Sequence, residues 1–568
     1  MKLLQLLVLI LLGGVFWCGC QWPATPQWVS SSRTMPWARI QNYAESSSAP
    51  RSATASSGRL PAKPQMPAWI YLAFIVGSSV FLSLVDRWRV EIARRFAREN
   101  HLALPRIVTQ PLVLRRHLLL ALAGCIALAV YGSLVPFHAR PQTWPAALRE
   151  FGDGLVRPLS FGSKTDWATN VLLFVPIGFL ATGAALGRVA SDRRRALLPP
   201  AIVAGCTLLS LAVEFGQLWV ADRFCSQNDI VAESLGGLVG VSLWLVSGST
   251  VATWLDAFRT QRRPRERLER LLQVYLGAVL VWVVLPLDLT LRPAEIWDKF
   301  QAGRINLIPF SDLQWTTAGA VGWLEKLLLL LPLGALAALW RWPRADSVRP
   351  LGRALLLGAG LIASLEACQL LVFSRTCSTT DVVSGLAAIA AGWALARWRL
   401  HPAAIDSGPR SGWLALAVVA VGFWAALAAV FCLPFDRVTS SAEAAQRWQA
   451  LWSTPMLATF QSGAISNALA EALRKTLLFG TSGALVGLLA RPFAPGSPQR
   501  TPAILCAMGL QIALPLAIEF AQLWLPPHQP ELGDVLLGTI GGGLGMVGVL
   551  TADRDLSIAA PDLKDGRR

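Results

Sequence analysis

The sequence predicts an all-α fold: a polytopic transmembrane helical bundle of about fourteen spans, most of them in three tandem four-helix repeats. Three observations predict it. Of 568 residues 54% are apolar and only 15% charged, whereas a soluble domain carries about 25% charge. Apolar runs recur near the roughly 20 residues that cross hydrocarbon. A polar signature, Glu-x-x-Gln with Asp twelve residues after the Gln, occurs three times: Glu214, Gln217, Asp229; Glu366, Gln369, Asp381; and Glu519, Gln522, Asp534. The net charge of +17 sits largely in short loops beside apolar runs. That is the positive-inside pattern, so the basic excess has a topological reason and no nucleic-acid partner is implied.

In chain order, residues 1–20 read as a signal peptide or an uncleaved signal anchor. Gly19-Cys20 resembles a lipoprotein cleavage site, although Trp17 and Cys18 suit one poorly. Residues 21–66, rich in Ser, Pro and Ala, read as a disordered extracytoplasmic linker. Residues 67–110 hold one span followed by the basic segment DRWRVEIARRFAREN, expected on the cytoplasmic surface. The repeats follow at 111–250, 265–400 and 411–552, and residues 553–568 form a cytoplasmic tail.

Each repeat is built alike. Its first span ends in Pro: Val135-Pro136-Phe137, Leu285-Pro286-Leu287 and Leu433-Pro434-Phe435. Its second carries Asn170-x3-Phe174-x-Pro176-x-Gly178, then Lys326-x5-Pro332-x-Gly334, then Lys475-x3-Phe479-x3-Gly483, with Thr481 at the Pro place. Its third ends in the Glu and Gln, which share a helix face. Its fourth starts at the Asp and is rich in small residues: Gly236, Gly237 and Gly240, Gly385, and Gly538, Gly541, Gly542, Gly543 and Gly545. Small residues let membrane helices approach closely. Arg188, Arg193, Arg194 and Arg195, then Arg341, Arg344, Arg349 and Arg353, then Arg491 and Arg500 mark the second-to-third loops as cytoplasmic. The Glu-to-Asp segments then face outward and the C-terminus inward, as in a multi-pass protein of the bacterial inner membrane.

The candidate ligand-binding residues are the polar clusters: Asn170, Glu214, Gln217, Arg223 and Asp229; Lys326, Glu366, Gln369, Arg375 and Asp381; and Lys475, Glu519, Gln522 and Asp534. An acid in hydrocarbon is costly, so it is paired or wet. The expected pairs are Lys326 with Glu366 and Lys475 with Glu519, and Arg223 serves Glu214 where Asn170 replaces the cation. Asp at the start of the fourth span suits a helix N-terminus. Arg223 and Arg375 suit phosphate geometry. In the third copy His528 takes the Arg place and Pro530 the Cys place. Cys225 and Cys377 occupy equivalent outward positions and are a candidate disulfide. The five His are scattered, so no metal site or cofactor is implied. No nucleophile–base pair is legible, and Ser226 and Ser378 read as helix caps, although a Glu and an Asp suit acid–base work. The 24 Trp suggest interfacial belts.

The helix from Asn170 to Gly178 and the block Glu214-x-x-Gln217, Arg223, Asp229, Gly236 resemble the VanZ-like family of bacterial membrane proteins. Asn306-Leu-Ile-Pro309-Phe310 of the second copy resembles it too. The resemblance spans most of residues 111–552, with Glu233 where the family usually has Asn. It implies a cell-envelope role and, from the family's namesake, tolerance to teicoplanin-type glycopeptides and so antibiotic resistance. Three function readings remain open: binding of membrane lipid, phospholipid or polyprenyl-linked precursor headgroups; a structural scaffold in which the clusters only hold helices together; and transport.

Overall fold

A computed structural model describes residues 68–99, 112–135, 137–156, 164–186, 192–221, 223–260, 264–288, 290, 293–311, 316–340, 349–400, 409–435, 440–453, 465–490, 500–525 and 528–559. The expectations for residues 1–66, for the linkers carrying Arg188, Arg341, Arg344 and Arg491, and for most of the C-terminal tail lie outside them.

The described chain is almost entirely helical. A lone helix, α1 (Ala68–Glu99), comes first. The first unit holds α2 (Leu112–Leu134), α3 (Trp144–Val156), α4 (Lys164–Leu186), α5 (Asp192–Gln217) and α6 (Gln227–Thr260). The second holds α7 (Pro264–Val284), α8 (Pro293–Gln301), β1 (Ile305–Asn306), α9 (Thr317–Trp340), α10 (Arg349–Leu370), β2 (Cys377–Ser378) and α11 (Thr379–Leu400). The third holds α12 (Pro409–Cys432), α13 (Ser441–Ser453), α14 (Ile465–Ala490), α15 (Arg500–Gln522) and α16 (Leu532–Ala559). β1 and β2 pair in parallel, Ile305 with Cys377 and Asn306 with Ser378.

Among the described residues ten helices are long and apolar enough to span a membrane, and 71–84 in α1 and 355–370 in α10 are shorter apolar stretches. α7 completes the four-helix pattern of the second unit but begins in the charged run PRERLER. Large apolar side chains such as Leu120, Leu208, Leu356, Val418 and Leu505 point outward. That is the arrangement of helices solvated by lipid rather than water.

Three short helices had no counterpart among the predicted spans. α3, α8 and α13 lie between the first and second spans of their units, amphipathic and aromatic: Trp144, Trp297, Phe300, Trp448 and Trp452 are exposed. Their length, 13, 9 and 13 residues, is too short to cross hydrocarbon, and exposed aromatics suit an interface.

Within every unit the second and fourth spans pack most extensively: α4 on α6, α9 on α11, α14 on α16. Close approach explains the small residues: Gly236, Gly240, Gly541 and Gly545 face backbone carbonyls, and Gly237, Gly385, Gly538 and Gly542 face side chains of neighbouring helices. A Cβ at Gly483 would overlap the Gly542 carbonyl, and one at Gly240 the Val175 carbonyl. Gly543 is the exception, with open space around it. The second and third units share one core, in which Val279, Val283, Leu329 and Leu365 meet Phe423, Leu427, Phe431, Leu478 and Ile518. The first unit has its own, where Ile75 and Leu82 of α1 pack with Val231, Leu238 and Trp244 of α6.

Candidate polar clusters

The same construction appears at one end of all three units. The first span of each unit stops near its Pro, leaving carbonyls without intrahelical donors. The fourth span starts after a short turn, leaving N–H groups without acceptors. The polar residues serve these helix ends first.

The Glu serves the start of the fourth span. Glu214 Oε2 accepts from Ser226 N at 2.6 Å, Glu366 Oε2 from Ser378 N at 3.0 Å, and Glu519 Oε2 from Glu531 N at 2.7 Å. The donor lies twelve residues downstream each time. A carboxylate at a helix N-terminus also meets the positive end of the dipole. Ser378 adds a local cap, its Oγ accepting from Thr380 N at 3.0 Å.

The Asp, in the first turn of the fourth span, faces the second span. Asn170 Nδ2 donates to Asp229 Oδ1 at 2.7 Å. Lys326 pairs with Asp381, and Lys475 with Asp534 at 2.5 Å. This corrects the pairing expected from sequence. The lysines bond the Asp, not Glu366 and Glu519, because each Glu is already taken by a backbone N–H.

The Gln and Arg serve the end of the first span. Gln217 Nε2 donates to Ser133 O at 3.2 Å and Gln522 Nε2 to Phe431 O at 2.8 Å, in each case three residues before the Pro. Gln369 instead donates to Glu366 Oε1 at 3.2 Å. Arg223 donates from Nε and Nη2 to Val135 O at 3.2 and 2.8 Å, not to Glu214 as expected. Arg375 donates to Leu285 O and Trp282 O, both at 2.9 Å, with its guanidinium 4.9 Å from the Trp282 ring. Cations at a helix C-terminus meet the negative end of the dipole. In the third unit His528 turns its imidazole to the Leu433 and Cys432 carbonyls, the place Arg223 and Arg375 occupy, and burial holds its pKa below the usual histidine value. The substitution at that place therefore puts an imidazole at the helix end in place of a guanidinium.

Two members were not found from sequence. Lys299 on α8, 0% exposed, donates to Gln369 O at 2.5 Å and Val372 O at 2.7 Å. Arg447 on α13 donates to Gln522 O at 2.9 Å and Leu525 O at 3.0 Å, and also to His528 O. Both tie an interfacial helix to the end of the third span. Each stands 13 residues after its unit's Pro, beside an aromatic, and that shared spacing was the available signal. A third group, Arg474 of α14, bridges Glu471 on its own helix and, at 2.7 Å, Glu325 of α9, joining the second and third units.

The segment Asn306 to Phe310 closes over the second cluster. β1 holds it to β2, and Phe310 N donates to Thr380 Oγ1 at 2.8 Å. Leu307, Ile308 and Phe310 are exposed at its tip. Cys225 and Cys377 do not form the candidate disulfide. Cys225 is buried against Gly154 in the first unit, and Cys377 lies beside Glu366 in the second.

The second cluster borders a cavity of about 90 Å³. Lys326, Glu366, Gln369, Arg375, Thr376 and Asp381 line its polar side, and Val279, Trp282, Val283, Leu329 and Ile362 are among its apolar walls. Arg375 commits Nε and Nη2 to carbonyls, leaving Nη1 of its five-donor fork. Trp282 and Arg375 also border a larger polar space of about 290 Å³ between the second and third units, lined by Glu325, Glu471 and Arg474.

A capping role makes a specific prediction. Glu366→Leu leaves Ser378 N–H buried without an acceptor and lowers stability by about 1–3 kcal/mol. Glu366→Gln keeps an acceptor oxygen and loses less. Reversible unfolding in mixed SDS micelles distinguishes them, and equal losses contradict the cap.

The family model described as VanZ/LLP1 matches residues 68–248 and 272–400, which cover α1, most of the first unit and most of the second. No curated protein and no solved structure matches the chain.

Proposed function

The chain belongs to the VanZ/LLP1 family, and on that premise we propose that it is a bacterial inner-membrane protein of the cell envelope that binds lipid headgroups in the cavity of its second unit. The ligand class is a phospholipid or a polyprenyl-linked precursor. One observation carries the reading: a cavity lined by polar groups, Lys326, Arg375 and Thr376 together with Glu366, Gln369 and Asp381, and by the apolar Val279, Trp282, Leu329 and Ile362, in which Lys326 is already paired with Asp381 and Arg375 keeps Nη1 free of the carbonyls it caps. A lipid brings both chemistries at once, an anionic headgroup for the cations and a chain for the apolar wall. About 90 Å³ is room for a phosphoryl-sized group rather than a whole precursor, since a water needs about 10–15 Å³. The exposed Leu307, Ile308 and Phe310 beside it suit headgroup depth. Orientation is inferred from the basic residues: Arg193, Arg194 and Arg195 of α5, Arg349 and Arg353 of α10 and Arg500 of α15 stand at the helix starts, away from the clusters at the helix ends, which supports a reading with the clusters outside and the C-terminus in the cytoplasm. By family resemblance, headgroup binding is the route by which this protein raises tolerance to teicoplanin-type glycopeptides.

The scaffold reading has its own observation: the Glu, Asp and cationic residues of the clusters are bonded to backbone or to each other. One variant separates the two. Thr376 is exposed at the mouth of the cavity and makes none of the pairings above. Thr376→Trp plugs the mouth and leaves the caps intact. Native mass spectrometry of the full chain, purified in mild detergent, shows co-purifying polyprenyl lipid or phospholipid on the wild type and loses it in Thr376→Trp at unchanged unfolding midpoint. A deletion strain regains glycopeptide tolerance with the wild type and not with the variant. Equal lipid occupancy, or equal rescue, overturns headgroup binding in favour of the scaffold.

A further inference from the structure

We propose that the first unit carries a proton-binding site at Glu233, reached from the cluster surface past Asp166 and Asp229. The inference rests on the first unit alone and is independent of headgroup binding in the second.

Glu233 lies four residues after Asp229 on α6, one turn further into the bundle. The same place is Gly385 in the second unit and Gly538 in the third. So the acid is an addition peculiar to this unit, where the others need a small residue for helix contact. It is 2% exposed, and its Oε2 has no hydrogen-bond partner. Ser210 of α5 is the polar side chain that faces it, with the Cys206 thiol one turn along α5.

The charge balance around it is unlike that of the other units. Asn170 stands where Lys326 and Lys475 stand, so Asp229 meets an amide instead of an ammonium. Glu214, 1% exposed, is turned to Ser226 N. Arg223 is committed to the Val135 carbonyl at the helix end. From α4, Asp166 approaches Asp229. α1, packed on α6, carries Tyr71 and Asp86. Three buried or half-buried carboxyls therefore share one guanidinium, which is occupied elsewhere. A carboxylate in hydrocarbon with no cation and only a hydroxyl beside it is far costlier than its neutral acid. Glu233 placed in this way holds a proton.

The route to it is also built. Asp166 is exposed near the start of α4, Asp229 is half-buried beside it, and Glu233 is a turn beyond, at the usual i,i+4 separation of about 5–6 Å between Cβ atoms. Proton binding is the association of one solvent proton with the Glu233 carboxylate, carried inward through the Asp229 carboxyl. The second and third units lack the inner acid and pair the outer one with lysine, so they hold no counterpart.

Infrared difference spectroscopy of the purified full chain tests this. At neutral pH the wild type shows the carbonyl stretch of a protonated carboxyl, and Glu233→Gln loses one carboxyl's share of that band. Where the Gln variant fails to fold, Glu233→Gly, which copies Gly385 and Gly538, serves in its place. An identical band in the folded variant overturns the site. On transfer to deuterium oxide the Glu233 band shifts as the proton exchanges, and Asp229→Asn slows that shift severalfold. An unchanged exchange rate overturns the route.

Discussion

Replacing Lys475 by methionine lowers the stability of the full-length protein by about 3–5 kcal/mol, the usual cost of removing one partner from a buried ion pair. Lys475 is 8% exposed at its side chain, with Asp534 at 2.5 Å and Glu471 at 3.2 Å. Methionine fills the volume and leaves Asp534, itself 13% exposed, without its cation. The protein then protonates the acid, admits water or parts the helices, and each costs free energy. The first unit supplies the control, because Asn170 bonds Asp229 there through an amide. Lys475→Asn therefore retains a donor, and its loss is smaller than that of Lys475→Met. In the second unit Lys326→Met costs less than Lys475→Met, since the Lys326 side chain is 34% exposed and water shares its charge. Unfolding in mixed SDS micelles gives all three values. A Lys475→Met protein as stable as the wild type removes the pair from the account.

Gly483→Leu separates α14 from α16 and lowers stability by at least the roughly 1–3 kcal/mol of an overpacked core. Even a methyl at this position would overlap the Gly542 carbonyl, which is backbone and cannot swing aside. Without a hydrophobic drive between lipid-solvated helices, close packing is a main source of association, so lost contact is not recovered elsewhere. Gly543, one residue further along the same helix, has nothing within 4 Å of an added Cβ. Gly543→Ala is neutral or gains up to about 1 kcal/mol from helix propensity. Comparable losses at both positions contradict the packing described for the second and fourth spans.

The spans and the repeat were legible because both leave one-dimensional traces. Apolar length marks a span, and the fixed distance from Glu214, Glu366 and Glu519 to their Asp partners marks a unit. Which atoms pair was not legible. Charge alone offered Lys326 two acids, and nothing in the sequence says that Glu366 is already taken by the Ser378 N–H. The use of Arg223 and Arg375 was likewise hidden. Their partners are backbone carbonyls 88 and 90 residues away in sequence, at Val135 and Leu285, and any residue type can supply a carbonyl. Of the interfacial helices, α8 spans only nine residues, too few for periodicity to declare itself, and α3 and α13, at 13 residues, are too short to register as spans. Their cations, the buried Lys299 and the half-buried Arg447, look in sequence like ordinary surface charges. Glu233 was noticed only as a departure from a family pattern, and its burial against α5 depends on how α6 is rotated.

A double-mutant cycle on the second unit tests the arrangement most directly, using Lys326→Asn, Asp381→Asn and Glu366→Gln singly and in pairs. The account predicts an interaction energy within about 0.5–3 kcal/mol between positions 326 and 381, the range for residues in direct contact, and a distinctly smaller one between 326 and 366. Additive losses at 326 and 381, or stronger coupling of Lys326 to Glu366, would contradict the pairing on which every cluster is built.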